Sequence, residues 1–186
     1  MNLHLIRRTM ISSCLIVAVW PLTAAATSPP ASVGVVAEFE GVQIDLADGW
    51  GEAHACAVSD TGTVCYRSEA AMDATLTPSS LTQSSSAITS LNQPAAITSS
   101  CSSSLRLYDG TSFTGAVLSL STRATLISLS GYGFDNKTSS YKVGACAAHL
   151  YSGIQSGLYP GNTAANAQAS SMQSGWDNTI SSVLIP

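Results

Sequence analysis

One octapeptide pattern occurs twice in this chain. Gly133-Phe134-Asp135-Asn136-Lys137-Thr138-Ser139-Ser140 recurs as Gly175-Trp176-Asp177-Asn178-Thr179-Ile180-Ser181-Ser182, so that each copy reads Gly–aromatic–Asp–Asn–x–x–Ser–Ser. Each copy runs into a short apolar stretch, 141–143 in the first and 183–185 in the second, and an aligned Leu-Tyr pair stands upstream of each (Leu107-Tyr108, Leu150-Tyr151). The two copies are offset by 42 residues, a period that marks a duplicated supersecondary unit. A hairpin plus a return strand in each unit supplies the strands of a Greek key. Leu105-Arg106-Leu107-Tyr108 alternates, and 117–120 and 125–129 are strand-like, with glycines between them. Short strands punctuated in this way predict an all-β sandwich over residues 101–186.

The repeated loop also carries chemistry. Asp, Asn and Ser side chains, with turn carbonyls, are hard oxygen donors, and calcium gathers about 6–8 of them at about 2.3–2.6 Å. One such loop is too short to fill that shell. A single copy reads as a capped turn, with Asp-Asn and Ser-Ser bonding the local backbone. Two copies at matching positions predict two loops brought together, each lending oxygens to two sites.

Residues 101–186 resemble a βγ-crystallin domain built of two Greek-key motifs. That family's calcium signature, N/D–N/D–x–x–S/T–S, is met at Asp135-Asn136-Lys137-Thr138-Ser139-Ser140 and again at Asp177-Asn178-Thr179-Ile180-Ser181-Ser182. Its hairpin signature, aromatic–x₄–aromatic–x–Gly, is met at Tyr108, Phe113 and Gly115. In the second motif Tyr151 is kept, but Ser156 stands for the aromatic and Leu158 for the glycine, with Gly157 and Tyr159 nearby. The second hairpin is therefore expected to be looser, or longer by one residue. The resemblance implies Ca²⁺ held by residues of both motifs. The implied ligands are the Asn136 and Asn178 side chains, the Lys137 and Thr179 carbonyls and the Ser139 and Ser181 hydroxyls. Carbonyls of Thr111 and Ile154 complete the shells, and Asp135 and Asp177 supply nearby charge. Exported bacterial chains with this module are grouped with the I36 peptidase inhibitors. The resemblance thus also implies a secreted protease as partner, met by the irregular loop 152–162. A structural or stress-related surface module without metal is the remaining reading.

The N-terminus fits export. Arg7-Arg8, an apolar run over 10–22 and Thr23-Ala24-Ala25-Ala26 follow the order of a signal peptide, which predicts removal of residues 1–26 and a secreted product without a membrane anchor. Cys14 leaves with that segment. Cys56, Cys65, Cys101 and Cys146 remain, an even set that reads as two disulfides in an exported chain. Three connectivities are open, and Cys56–Cys65 with Cys101–Cys146 is preferred because each pair lies within one segment. No pair has the C-x₂₋₄-C spacing of a structural zinc site. Residues 27–34 read as a flexible leader. Residues 35–72 read as a small hairpin unit, turning at Ser59-Asp60-Thr61-Gly62 and closed by Cys56–Cys65. Residues 73–100, rich in Ser and Thr and broken by Pro78 and Pro94, read as a linker.

Composition removes other classes. Lys and Arg total 7 against 11 Asp and Glu, for a net charge of −4, so no basic surface invites nucleic acid. With 45% hydrophobic and 10% charged residues the chain is not a disordered one. No catalytic set is visible. His54 and His149 stand outside any metalloprotease-like spacing, and Asp45 and Asp48 are ordinary turn acids. The chain is read as a binding module, not an enzyme.

Overall fold

The structure is a computed structural model and describes residues 33–76 and 103–186. The expected signal peptide, most of the leader, residues 77–100 of the expected linker and Cys101 lie outside the described residues. No helix among the described residues is long and apolar enough to cross a membrane.

Alternation of side chains along the strands sets the layers. In β5 (Leu105–Tyr108), Leu105 and Leu107 enter the main core, while Tyr108 joins a second apolar cluster on the opposite face. The same division splits β6 (Val117–Leu120), where Leu118 and Leu120 face the main core and Val117 faces the other side. Successive strand residues point to opposite faces, so a strand covered on both sides is buried throughout.

β5, β6, β7 (Leu126–Ser128) and β8 (Ser140–Lys142) form the first motif. β8 returns to pair with β5, and β5 pairs with β6, the order of a Greek key. The third strand leaves: β7 pairs with β11 (Ser182–Leu184) in a separate three-stranded sheet, whose other edge is β9 (His149–Tyr151). The second motif mirrors this. β11 returns to β9 (His149–Tyr151), Leu158 bridges Tyr151, and β10 (Gln168–Ala169) crosses to pair with β8. Each motif lends its third strand to the other's sheet. The expected all-β Greek-key sandwich is therefore present, with Leu107, Leu118, Leu129, Phe134, Leu150, Ile180 and Val183 in one core.

The N-terminal segment departs from expectation. β1 (Val36–Phe39) and β2 (Val42–Asp45) form a hairpin turning at Glu40 (φ 50°) and Gly41 (φ 80°). β3 (Ala55–Ser59) and β4 (Gly62–Tyr66) form the expected second hairpin, in which Cys56 lies opposite Cys65 and the two are joined by a disulfide. Cys146 is also disulfide-bonded. These strands do not stand apart as a unit of their own. β3 pairs in parallel with β6, which extends the first sheet to eight strands in the order β10-β8-β5-β6-β3-β4-β1-β2. Ala37, Leu46, Cys56 and Cys65 belong to the same core as the two motifs. The bare edge of β6 offered unpaired backbone groups, and β3 satisfies them.

A helix, α1 (Glu69–Leu76), replaces the end of the expected hairpin unit and the start of the expected linker. Ser68 caps it, accepting from the Ala71 amide at 3.2 Å, and Glu69 adds charge in the first turn. Fully buried Met72 packs with Ala55, Tyr108 and Val117 on the outer face of the large sheet. β4 and β5, on either side of the expected linker, thus run parallel within one sheet, with α1 and a long connection between them. Parallel strands require such a long return.

Candidate metal centre

The two repeated loops meet face to face. Each turns at its asparagine in a left-handed conformation, Asn136 at φ 54° and Asn178 at φ 55°. Asparagine tolerates that region better than most residues. The loops then bond each other reciprocally: the Asn136 amide donates to Ile180 O at 2.9 Å, and the Asn178 amide to Thr138 O at 3.1 Å. Thr138 and Ile180, the fourth signature positions, are fully buried and anchor the loops to the core.

The side chains are crossed as well. Ser139 Oγ donates to Asn178 Oδ1 at 3.3 Å, and Ser181 Oγ to Asn136 Oδ1 at 3.4 Å. The amide nitrogen of Asn136 donates to Asp135 Oδ2 at 3.1 Å, and that of Asn178 to Asp177 Oδ2 at 3.4 Å. Each aspartate therefore holds the neighbouring amide so that its oxygen faces the serine of the other loop. The serine backbones are locked in the same symmetric way. Ser139 N donates to Tyr108 O and Ser181 N to Tyr151 O, both at 2.8 Å. Ser139 O accepts from Met172 N and Ser181 O from Leu129 N, both at 2.9 Å.

These oxygens suit a hard cation. Two oxygens 3.3–3.4 Å apart, each about 2.3–2.6 Å from one ion, subtend about 80–95° at it, a spacing for neighbouring calcium ligands. Asp135 Oδ1 is a buried carboxylate oxygen with no hydrogen-bond partner, and Thr138 Oγ1 is a buried hydroxyl without one in the same loop. A buried carboxylate oxygen left without a partner is costly unless a donor or a positive charge meets it. Among the described residues no three His, Cys, Asp or Glu side chains cluster in metal-holding range. The donor set is one of amide, hydroxyl and carbonyl oxygens beside two aspartates.

The last serine of each signature has a different task. Ser140 Oγ donates to Gly110 O at 2.6 Å and accepts from Phe113 N at 3.1 Å. Ser182 Oγ donates to Gly153 O at 2.6 Å and accepts from Gln155 N at 3.4 Å. Each pins the hairpin of its own motif, Gly110 to Phe113 in the first and Gly153 to Gln155 in the second, and Thr111 and Ile154 lie within those pinned spans. Thr111 O accepts the Thr114 hydroxyl at 2.7 Å, and the Ile154 side chain is exposed. Lys137 is exposed and lines a cavity of about 360 Å³ with Trp50, His54 and Asp109. Thr179 Oγ1 donates to Trp176 O at 2.9 Å, which steadies the second loop from within.

The second hairpin corrects the sequence reading. It is one residue shorter than the first, not longer. Gly157 (φ 66°) takes the place of Gly115 (φ 79°), and Gln155 (φ 55°) that of Phe113 (φ 61°). A Cβ at Gly115 would collide with Asp109 Oδ1, and one at Gly157 with Ser152 Oγ, so both sites need glycine for the same reason. The aromatic contact is what the second motif lacks. Tyr108 packs edge-on against Phe113 at 5.7 Å, whereas Tyr151 packs against His149 at 6.2 Å.

The sequence matches no protein-family model and no curated protein. Solved structures do align with it. A βγ-crystallin from Ciona intestinalis aligns at 20% identity and a TM-score of 0.38, covering 45% of this chain and 99% of its own. A double mutant of a βγ-crystallin domain from Clostridium beijerinckii aligns at 18% identity and a TM-score of 0.35, covering 44% and 94%. The N-terminal domain of protein S aligns at 20% identity and a TM-score of 0.35, covering 45% and 96%.

Proposed function

We propose that this chain is an exported calcium-binding module of the βγ-crystallin type, holding ions between its two repeated loops. The crossed pairs Ser139–Asn178 and Ser181–Asn136 carry this reading. In each pair a hydroxyl and an amide oxygen from different loops converge, with Asp135 and Asp177 adjacent. The Lys137 and Thr179 carbonyls and the hairpin carbonyls of Thr111 and Ile154 are the proposed remaining donors. Few of these donors are charged, which places affinity in the weaker range of about 10⁻⁵–10⁻³ M. Calcium bound to the native state alone stabilises it, by about 2.7 kcal/mol at a hundredfold excess over Kd. The Cys56–Cys65 disulfide and the disulfide-bonded Cys146 fit an oxidising compartment, in keeping with export.

The test is calorimetric calcium titration of the chain after its expected signal peptide is removed, beside thermal melts in calcium and in chelator. Saturable binding and a higher melting temperature in calcium are expected, both lost in a Ser139→Ala, Ser181→Ala double variant. Unchanged binding in that variant would move the ion elsewhere. No binding by the parent would leave the loops as structural turns.

One observation favours a second reading, inhibition of a secreted peptidase. Ile154 and Leu158 stand out as exposed large apolar side chains on the short second hairpin, which Ser182 pins to the body. A rigid loop with an apolar tip loses little entropy when it enters a cleft. Stoichiometric inhibition of a serine or metalloprotease, abolished by Ile154→Asp, would establish it.

A further inference from the structure

The two repeated loops are alike in sequence and mutual bonding, but their approaches are held by different parts of the chain. The second loop is approached through Gly175 and Trp176. A Cβ at Gly175 would meet open space, and Trp176 packs on Tyr159, a residue of its own motif, at 5.3 Å. The first loop is approached through 131–134, and there the N-terminal segment takes hold at four points. Val35 N donates to Gly131 O at 2.8 Å. Trp50 Nε1 donates to Tyr132 O at 2.7 Å. Leu46 O lies so close to Gly133 that a Cβ there would collide with it. The Trp50 ring stacks on Phe134 at 5.5 Å and 29°, and Phe134 immediately precedes Asp135.

We propose that Trp50 is a positioning residue for the first loop, and that the N-terminal segment and the ion are thermodynamically linked. This rests on the calcium reading given above. The indole fixes the residues on both sides of Gly133, whose left-handed turn (φ 62°) aims Asp135 and Asn136. Ser139 is locked separately by Tyr108 and Met172, so loss of Trp50 falls mainly on the oxygen pair of Asn136 and Ser181. A loop already held in its binding shape loses less freedom when the ion arrives. Linkage is reciprocal, so the ion must tighten the grip of 33–50 on the body by the same factor.

The experiment compares the parent chain with Trp50→Phe, which keeps a stacking ring and loses the indole N–H. Calcium titration should show one class of site weakened by about three- to tenfold, the equivalent of one hydrogen bond, while the other is unchanged. A merely structural Trp50 would lower the melting temperature equally in calcium and in chelator and leave both affinities alone. That result would overturn the proposal. Amide and indole hydrogen exchange on the unmutated chain supplies a second readout that needs no variant to fold. Calcium should slow exchange at the Trp50 indole and the Val35 amide. Unchanged exchange there, with calcium demonstrably bound, would overturn the linkage. Absence of calcium binding by the parent would remove the calcium reading and this inference together.

Discussion

Ser139 and Asn178, 39 positions apart in the chain, hold each other's polar atoms across the two loops, the hydroxyl donating to the amide oxygen at 3.3 Å. The pair Ser181–Asn136 repeats this with the loops exchanged. Each loop gives a hydroxyl to one pair and an amide to the other, so neither proposed site is the property of one loop.

That crossing predicts how single substitutions divide. Ser139→Ala should weaken calcium at one site by about ten- to a hundredfold, and Ser181→Ala at the other, through loss of an oxygen meeting a charge. Ser→Thr at either position keeps the oxygen and should retain most binding. Calorimetric stoichiometry and Trp176 fluorescence read both outcomes.

Ser140→Ala and Ser182→Ala should behave differently from their neighbours. Both hydroxyls are fully buried and fasten hairpins. Each substitution should cost about 1–3 kcal/mol of stability by leaving buried partners unmatched. The loss should persist in chelator, where no ion contributes, measured by denaturant unfolding.

Helix α1 is fastened to the sheet by charge. Arg106 reaches Glu69 at 2.6 Å and Asp73 at 2.5 Å, and the Tyr108 hydroxyl donates to Glu69 at 2.6 Å. Arg106→Met should destabilise by about 1–2 kcal/mol, allowing for the partial exposure of the acids. Hydrogen exchange should quicken in 69–76 before it does in the two repeated loops.

Stability should fall in alkali. Burial first, and then the hydrogen bond to Glu69, raises the Tyr108 hydroxyl above its ordinary value of 10.0. Burial, followed by Tyr159, raises Tyr141 in the same direction. A folded state that holds a proton more tightly than the unfolded one is favoured below the unfolded pKa and loses that advantage as pH rises. Melting temperature should be flat up to about pH 9 and decline from about pH 10 upward. Tyr108→Phe should make that decline shallower while lowering stability at pH 7.

Much of the loop pairing was legible because the repeat is local. Asp-Asn-x-x-Ser-Ser carries its own turn conformation, and the same residues recur at matched places, so the pairing of the loops could be read before any fold was known. The Cys56–Cys65 hairpin was legible for the same reason, since a turn signal sits between the cysteines. What failed was non-local. Nothing within 35–66 says that β3 will lie beside β6, because that pairing is decided by an edge many residues away. Ser68 as a cap before Glu69-Ala70-Ala71-Met72 was a readable helix signal, but the change to Ser- and Thr-rich composition masked its continuation to Leu76. The second hairpin was misaligned because counting forward from Tyr151 assumes equal loop lengths. The backbone instead aligns on the glycine that must avoid Ser152. Trp50 had no local motif at all, and its partners Tyr132 and Phe134 become visible only in three dimensions.

The parallel pairing of β3 with β6 also orders events in time. A ribosome delivers β3 and β4 early, and their hairpin can close at once. The other edge of β3 has no partner until Val117 to Leu120 has been made, after the helix and the whole crossover. The grip of Trp50 on Tyr132 and Phe134 comes later still, and the meeting of the two loops waits for Ser181. Contacts so distant along the chain form slowly, because the intervening segment must be closed before they contribute. The earliest of the described strands to emerge are thus among the last to find their place.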